Sequence, residues 1–172
     1  SNNIEKVAVL GAGTMGAQIA GHLANAGISS YLFDISQELA EKGVGILTSF
    51  KPAPLYKPKN TGLIEACNYD QHLEKIKEVD WVLEAVAENL EIKHKVYNNI
   101  MDFIKDTTIV SSNTSVIPLA DLTEVMPDDV KKRFLITHFF NPPRYMRLLE
   151  LVKGPNTSDD IYNSMAAFGE DV

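Results

Sequence analysis

Short runs of β-branched and other apolar residues alternate along this chain with longer amphipathic stretches, and this alternation limits the fold more than any other feature. It is typical of repeated βα units, in which helices cover both faces of a mainly parallel sheet. The 172 residues, of which 45% are hydrophobic, are enough for one domain with a substantial core. The chain is therefore predicted to form a single α/β domain with a doubly wound, mainly parallel sheet.

The predicted elements follow this alternation, except between residues 51 and 69. Strands are expected at residues 6–10, 30–33, 81–84, 108–111 and 133–137, and a further apolar run covers 148–152. Helices are expected at residues 14–25, 36–50, 71–78, 90–103, 119–125 and 158–168. Ser36 is expected to cap the second helix, and Ser158 or Asp159 the last. Three prolines in residues 51–69 predict an excursion from the sheet rather than regular structure, and residues 126–129 predict a turn.

Charge and composition exclude several classes of protein. The formal net charge of −7 disfavours nucleic-acid binding, because proteins that bind the phosphate backbone carry a clustered excess of Lys and Arg. No apolar run reaches the roughly 18 residues of a membrane span, and no basic region followed by an apolar segment begins the chain. We therefore expect an intracellular, cytoplasmic protein with no membrane span. The single cysteine, Cys67, is expected to be a buried, inert thiol, and no metal site is expected.

A glycine-rich turn lies between the first predicted strand and the first predicted helix. It matches the G-x-G-x-x-G fingerprint of dinucleotide-binding proteins and consists of Gly11, Ala12, Gly13, Thr14, Met15 and Gly16. Its glycines would permit a tight turn, close approach of the backbone to a pyrophosphate, and close packing of helix on strand. The N–H groups at the start of the helix would then bind the anion. The alternative is a strand-to-helix turn that binds no ligand.

Asp34 follows the turn by about 20 residues, at the end of the second predicted strand, which is where dinucleotide-binding proteins place an acidic residue. A carboxylate there would accept hydrogen bonds from ribose hydroxyls and repel a 2′-phosphate, which favours NAD over NADP. The alternative is a helix-capping residue in the turn before Ser36. Turn and acid together predict a Rossmann-type fold that binds NAD.

Later motifs narrow the interpretation further. They are Glu84-Ala-Val-Ala-Glu88-Asn-Leu-Glu-Ile-Lys93, Ser112-Asn-Thr-Ser115 and His138-Phe-Phe-Asn141-Pro-Pro, followed by Glu150. Their order and spacing resemble those of the 3-hydroxyacyl-CoA dehydrogenase family, and the resemblance runs from about Ile4 to Phe168. It is strongest to the dehydrogenase segment of larger bacterial or archaeal fatty-acid oxidation proteins. The resemblance implies an NAD-dependent oxidoreductase that removes hydride from C3 of an L-3-hydroxyacyl-CoA in β-oxidation.

His138 and Glu150 are the predicted catalytic pair. Oxidation of a secondary alcohol needs a base that titrates near neutrality, and His138 lies at the end of a predicted strand, where open α/β sheets bind ligands. Glu150 lies in the next apolar run, where it could accept a hydrogen bond from the imidazole and stabilise the imidazolium. Taken singly, His138 could instead bond to backbone at a strand end, and Glu150 could lie on the exposed face of an edge strand.

Further site residues come from the resemblance. It implies that Ser115 is catalytic and holds the substrate hydroxyl or thioester carbonyl, that Asn141 contacts the nicotinamide end of NAD, and that Glu88 and Lys93 lie near the nicotinamide ribose. Each has an alternative: Ser115 as a helix cap, Asn141 as a turn residue before Pro142, and the other two as a helix-start acid and a solvated lysine.

Lys51, Lys57 and Lys59 form a basic cluster in an acidic chain. They could bind the phosphates of the CoA substrate, or they could belong to a solvated loop.

We interpret residues 1–172 as one NAD-binding domain. The resemblance implies further structure beyond these residues. Family members continue into a C-terminal helical domain that forms the dimer interface and supplies a further catalytic asparagine, and fusion to an enoyl-CoA hydratase domain is a further expectation. Without that helical domain we expect NAD binding but poor turnover. Two other functions stay open, a gulonate or hydroxyacid dehydrogenase of the same superfamily and a non-catalytic NAD-binding module.

Overall fold

A seven-stranded sheet with helices on both faces is the centre of the computed structural model, which describes residues 4–48, 58–139 and 149–172. The strands are β1 (Lys6–Leu10), β2 (Ser29–Asp34), β3 (Ile64–Asn68), β4 (Trp81–Glu84), β5 (Ile109–Ser112), β6 (Phe134–Phe139) and β7 (Leu149–Lys153). Their order across the sheet is β3-β2-β1-β4-β5-β6-β7. All neighbours pair in parallel except β6 and β7, which are antiparallel. The predicted Rossmann-type, mainly parallel sheet is confirmed.

Six α-helices lie in the described residues: α1 (Thr14–Asn25), α2 (Gln37–Gly45), α3 (Leu90–Ile100), α4 (Leu119–Leu122), α5 (Asp128–Lys131) and α6 (Asp159–Asp171). Short 3₁₀ segments cover Ile46–Thr48, Pro58–Leu63, Leu73–Glu78 and Thr123–Val125. The predicted caps are confirmed, since the Ser36 hydroxyl accepts the Leu39 N–H at 3.2 Å and the Ser158 hydroxyl accepts the Ile161 N–H at 3.3 Å. None of these helices is long and apolar enough to cross a membrane.

The core has two layers because side chains alternate across the sheet. On one face Trp81, Leu83 and Leu135 pack with α1 and with Phe168 of α6. On the other face, α3 and the short helices α4 and α5 cover strand residues such as Val82 and Phe134. The strands of such a sheet are buried on both sides, which explains why they form continuous apolar runs in the sequence.

The expectation of an irregular excursion over residues 51–69 was wrong for its second half. Pro58–Leu63 is a 3₁₀ turn and Ile64–Asn68 is strand β3, which pairs in parallel with β2 along its whole length. The strand buries Ile64 and Cys67 and exposes Glu65 at the edge of the sheet. The strand forms by pairing with β2, which is distant in sequence. The prolines just before it led to the prediction of irregular structure. Cys67 is fully buried as predicted, and burial raises the pKa of its thiol to about 12.

The positions of the helices were predicted more accurately than the residues at which they end. Residues 36–50 were expected to be one helix, but α2 ends at Gly45 and continues as a 3₁₀ turn. Residues 71–78 are helical only as a 3₁₀ segment, and α3 ends at Ile100 rather than at residue 103. The turn expected at residues 126–129 contains the start of α5. Tertiary contacts decide such ends, because intrinsic propensity changes little from one residue to the next.

Candidate active site

The glycine turn joins β1 to α1 at the carboxyl edge of the sheet. Gly11 has φ +106°, a left-handed conformation that L side chains rarely adopt, and a Cβ there would lie 2.7 Å from the Ala85 carbonyl oxygen. A Cβ on Gly16 would overlap the Gly11 carbonyl, whereas one on Gly13 would meet no atom within 4 Å. Gly11 and Gly16 are therefore required by packing, while Gly13 leaves open space above the turn.

The start of α1 is suited to an anion. Its N-cap is Gly13, which has no side chain to accept hydrogen bonds from the N–H groups of the first turn. No acidic residue lies in that turn. Those N–H groups have no partner within the helix and carry a partial positive charge. A cavity of about 250 Å³ lies beside them, lined by Ala12, Gly13, Thr14, Asp34, Leu39, Lys42, Gly43 and Ile46. The residues present fit the pyrophosphate and adenosine half of a dinucleotide.

Asp34 is the last residue of β2 and faces this cavity. One carboxylate oxygen accepts the Ala12 N–H at 2.9 Å and the other accepts the Ile35 N–H at 2.7 Å. A carboxylate can accept about four hydrogen bonds, so capacity for ribose hydroxyls remains. Ser36, not Asp34, caps α2, and the capping alternative for Asp34 is therefore not needed.

His138 and Glu150 are directly opposite each other in the antiparallel pairing of β6 with β7. Directly opposed residues have their Cβ atoms about 4.5–5.5 Å apart on the same face of the sheet. His138 is half-buried and Glu150 is exposed on the edge strand, as the alternative for Glu150 described. Glu150 is therefore both exposed to solvent and directly opposite His138 in the sheet. Both residues lie at the same carboxyl edge as the glycine turn.

Asn113 fixes the end of β6 from the other side. The last pairing of β5 with β6 is Ser112 with Ile136, so His138 and Phe139 extend beyond the end of β5. The side-chain oxygen of Asn113 accepts the Phe139 N–H at 2.8 Å. The backbone next to the His138 imidazole is thus held by β7 on one flank and by this amide on the other.

Ser115 lies in the loop after β5, next to Glu88 in the loop after β4. One carboxylate oxygen of Glu88 accepts the Thr114 hydroxyl at 2.9 Å and the Ser115 N–H at 3.2 Å, and the Ser115 hydroxyl lies 3.5 Å from the same atom. Ser115 does not cap a helix, because α4 begins after Pro118. Its hydroxyl is exposed at the carboxyl edge.

Lys93 is not the solvated lysine of the alternative interpretation. Its side chain is 1% exposed and its ammonium contacts Glu84 at 2.6 Å and Glu88 at 3.1 Å. Burial by itself would raise the pKa of Glu88, but hydrogen bonds from Thr114 and Lys93 outweigh burial and hold that pKa below its ordinary value. Glu88 therefore stays ionised at neutral pH.

Glu84 begins one of the motifs quoted above, but the sequence alone assigned it no role in the site. It is fully buried at the end of β4, and its carboxylate accepts hydrogen bonds from Lys93, Tyr97, Ser112 and the Val86 N–H. Burial, together with the charge of Glu84, raises the pKa of Tyr97 well above 10. An acidic residue closing the apolar run Trp81-Val-Leu was the available signal, the same one that drew attention to Glu150.

Some predicted site residues lie outside the described residues. These are Lys51, Lys57 and Asn141, and of Lys59 only the backbone is described. The histidines assigned no catalytic role have other contacts: His72 accepts the Asn68 N–H, His94 bonds to the Asp121 carbonyl, and His22 packs against Phe139. Within the described ranges, no group of three or more His, Cys, Asp or Glu side chains could hold a metal ion.

Comparison with known proteins agrees with the observed fold. Residues 6–172 match the family described as 3-hydroxyacyl-CoA dehydrogenase, NAD binding domain. A "Probable 3-hydroxyacyl-CoA dehydrogenase" of Bacillus subtilis is 42% identical over 99% of the chain, and a Rickettsia felis protein named for a fatty acid oxidation complex trifunctional enzyme is 40% identical over 97%. The crystal structure of (S)-3-hydroxybutyryl-CoA dehydrogenase from Ralstonia eutropha superposes with a TM-score of 0.86 at 31% identity, covering 98% of this chain and 61% of that one.

Fold and site together define a Rossmann-type dinucleotide-binding domain with a polar cluster at the carboxyl edge of its sheet. More specifically, the chain belongs to the family of 3-hydroxyacyl-CoA dehydrogenase NAD-binding domains, and its cofactor is NAD. The chain covers only 24% of the length of the Bacillus and Rickettsia relatives.

Proposed function

We propose that this chain is the NAD-binding part of an L-3-hydroxyacyl-CoA dehydrogenase, which converts the substrate to a 3-oxoacyl-CoA in fatty-acid β-oxidation. The observation that carries the proposal is the cross-strand pairing of His138 with Glu150 at the edge that also carries the glycine turn. The names of the relatives support the substrate class, and the trifunctional name supports a place in fatty-acid oxidation.

His138 is the proposed general base. When bound, NAD accepts the hydride that leaves C3 of the substrate. The imidazole takes the proton of the C3 hydroxyl, so that the alcohol carbon becomes a carbonyl. A histidine suits this step because its ordinary pKa lies close to the working pH.

Glu150 and Ser115 assist His138 in this proposal. The Glu150 carboxylate orients the ring and stabilises the imidazolium that forms when the proton is taken. The Ser115 hydroxyl, exposed at the same edge, holds the substrate hydroxyl or the thioester carbonyl. Such acid–base assistance contributes about 10²–10⁴ in rate.

Binding of NAD is assigned to three groups of residues. The glycine turn and the first N–H groups of α1 would hold the pyrophosphate. Asp34 would accept hydrogen bonds from the adenosine ribose hydroxyls. The resemblance of their motifs assigns Glu88, Lys93 and Asn141 to the nicotinamide end. The CoA phosphates are assigned to Lys51 and Lys57 because of their charge.

The remaining parts of the proposal concern the longer protein. A C-terminal helical domain closes the acyl site and forms a dimer, and a hydratase domain is joined to the same polypeptide, as the trifunctional name of the Rickettsia relative suggests for that protein. The protein acts in the cytoplasm.

The test is a comparison of variants in the gene product that contains this chain. His138→Gln should lower kcat with 3-hydroxybutyryl-CoA by about 10²–10⁴ and leave the Kd for NADH unchanged, because it removes the base and no cofactor contact. Glu150→Gln should lower kcat less. The matched control is His94→Gln, at a half-buried histidine of α3 whose ring bonds to the Asp121 carbonyl.

Two results would contradict the proposal. Turnover of gulonate or another free hydroxyacid in preference to CoA esters would assign the chain to the sugar-acid branch of the superfamily. Unchanged kcat in His138→Gln, with NADH still bound, would leave an NAD-binding module in which His138 has no catalytic role.

A further inference from the structure

The carboxyl end of β6, which carries His138, extends past the strand beside it. The last pair of the β5–β6 ladder is Ser112 with Ile136, and β6 continues for three residues beyond it, to Phe139. On the other flank, β7 pairs with all three of these residues. Since a backbone N–H needs an acceptor, the flank that faces β5 requires one from outside the ladder.

The side chain of Asn113 supplies this acceptor. Its Oδ1 accepts the Phe139 N–H at 2.8 Å. The contacting atom must be the amide oxygen, because a backbone N–H can only donate. The backbone of Asn113 is itself held, since its N–H donates to the Glu84 carbonyl at 2.8 Å. The amide therefore ties the residue that follows His138 to the ends of β4 and β5.

Use of a side chain here frees the backbone to leave the sheet. Directly after Asn113, the Thr114 hydroxyl and the Ser115 N–H donate to Glu88 at 2.9 and 3.2 Å. A β5 strand that continued to pair with β6 could not also turn Ser115 toward Glu88. A short polar side chain can replace a ladder hydrogen bond, as the asparagine amide does here. One residue thus keeps β6 in place while the chain delivers Ser115 to the same edge.

We propose that Asn113 is a positioning residue for the reaction, and that its amide, through the Phe139 N–H, fixes the direction in which the His138 imidazole points. It acts through the backbone of β6 and not by contact with the substrate. The Phe139 ring is 2% exposed and packs against His22, so the strand end is held by this hydrogen bond and by a buried ring. The inference rests on the proposed role of His138 as the base.

The first test removes the acceptor and keeps the volume of the side chain. In the gene product that contains this chain, Asn113→Leu should lower kcat with 3-hydroxybutyryl-CoA about 10- to 100-fold, because a base displaced by about 1 Å takes the proton much less efficiently. The Kd for NADH should stay within about twofold of the wild type, since no cofactor contact is removed.

A double-mutant cycle separates positioning from every other route to a lower rate. In the His138→Gln background, Asn113→Leu should cause no further loss of kcat, because the imidazole that it positions is gone. An effect through Ser115 or through the cofactor would persist in that background. Asn113→Ala, which adds no apolar contact, repeats the cycle if the leucine variant does not fold.

A rescue variant and a matched control complete the design. Asn113→Asp keeps an acceptor oxygen for the Phe139 N–H and should retain most of kcat, with each variant assayed at its own optimum pH. Thr157→Val is the control, since the Thr157 hydroxyl holds the opposite end of the same strand by donating to the Phe134 carbonyl at 2.6 Å. In urea unfolding this variant should lose stability, as Asn113→Leu does, but it should keep the wild-type kcat.

The outcomes distinguish the inference from the proposed function. Wild-type kcat in Asn113→Leu, a further loss in the His138→Gln background, or an aspartate variant as slow as the leucine variant would each overturn the inference alone. A kcat lowered equally by Thr157→Val would also overturn it, because general destabilisation would then account for the loss. Wild-type kcat in His138→Gln itself would overturn the proposed function, and the inference with it.

Discussion

In the proposed cofactor site, one carboxylate at the end of β2, that of Asp34, sets the nucleotide preference. Its oxygens are held by the N–H groups of Ala12 and Ile35, so the charge is fixed beside the cavity next to the glycine turn. A fixed negative charge accepts hydrogen bonds from ribose hydroxyls and repels a 2′-phosphate. A neutral hydroxyl in its place would accept such bonds less strongly and would not repel the phosphate.

Asp34→Ser should therefore weaken NADH binding by about tenfold and shift the ratio of NADPH to NADH affinity toward NADPH. The Kd values for both nucleotides, measured by fluorescence on the same preparation, check this. Asp106→Asn, an exposed acid in a turn, is the control for a general change in net charge. An unchanged affinity ratio would mean that the ribose does not lie against Asp34.

At the scale of elements, Asp80 joins the beginnings of β1 and β4. Its carboxylate accepts the N–H groups of Glu5 and Lys6 at 2.9 and 3.2 Å and pairs with Lys105 at 3.1 Å. Burial by itself would raise the pKa of Asp80, but these donors outweigh burial and hold that pKa below 3.8. The ionised form is therefore favoured by folding.

Asp80→Asn should lower the free energy of unfolding at neutral pH by about 1–2 kcal/mol, because a neutral amide accepts these bonds less well. Since the folded pKa is depressed, the wild-type advantage is complete above 3.8 and is lost as the pH falls through the folded pKa. Urea unfolding across this pH range measures it. Asp128→Asn, whose parent side chain is 98% exposed, should change stability by less than about 0.5 kcal/mol.

At the scale of the whole molecule, the sheet brings to one edge the residues that we propose bind the cofactor and act in catalysis. The carboxyl ends of β1, β2, β4, β5 and β6 carry the glycine turn, Asp34, Glu84, Ser112 and His138. This chain covers 24% of the Bacillus protein and 24% of the Rickettsia protein, so most of each relative consists of other segments. In the proposed function this edge binds the nucleotide, and segments outside this chain supply the acyl site.

The 172-residue chain should consequently bind NADH and turn over 3-hydroxybutyryl-CoA far below about 10 s⁻¹, the median rate of enzymes. Adding the rest of the natural polypeptide should restore kcat without tightening NADH binding, because that part supplies the acyl site. Parallel calorimetry and NADH-formation assays on the two proteins check both halves. A rate near 10 s⁻¹ from the isolated chain would show that the site needs no further segment.

The order of apolar runs and motifs along the sequence was enough to predict the Rossmann-type sheet, the glycine turn and the position of Asp34 at the end of β2. These depend on local periodicity and on conformations that few residues other than glycine can adopt, such as φ +106° at Gly11. Strands β1 and β4 and helix α1 have the predicted bounds for the same reason, since each is bounded by its own local signals.

Tertiary contacts alone decided the pairing of β3, the opposition of His138 and Glu150, and the burial of Lys93. Each depends on register or packing between segments that are distant in sequence. Periodicity shows which residues are apolar, but not which charge lies beside which. Lys93 illustrates this, because its neighbours in sequence resemble those of a solvated helix face. Its ammonium can be buried only because the carboxylates of Glu84 and Glu88 compensate the cost of removing the charge from water.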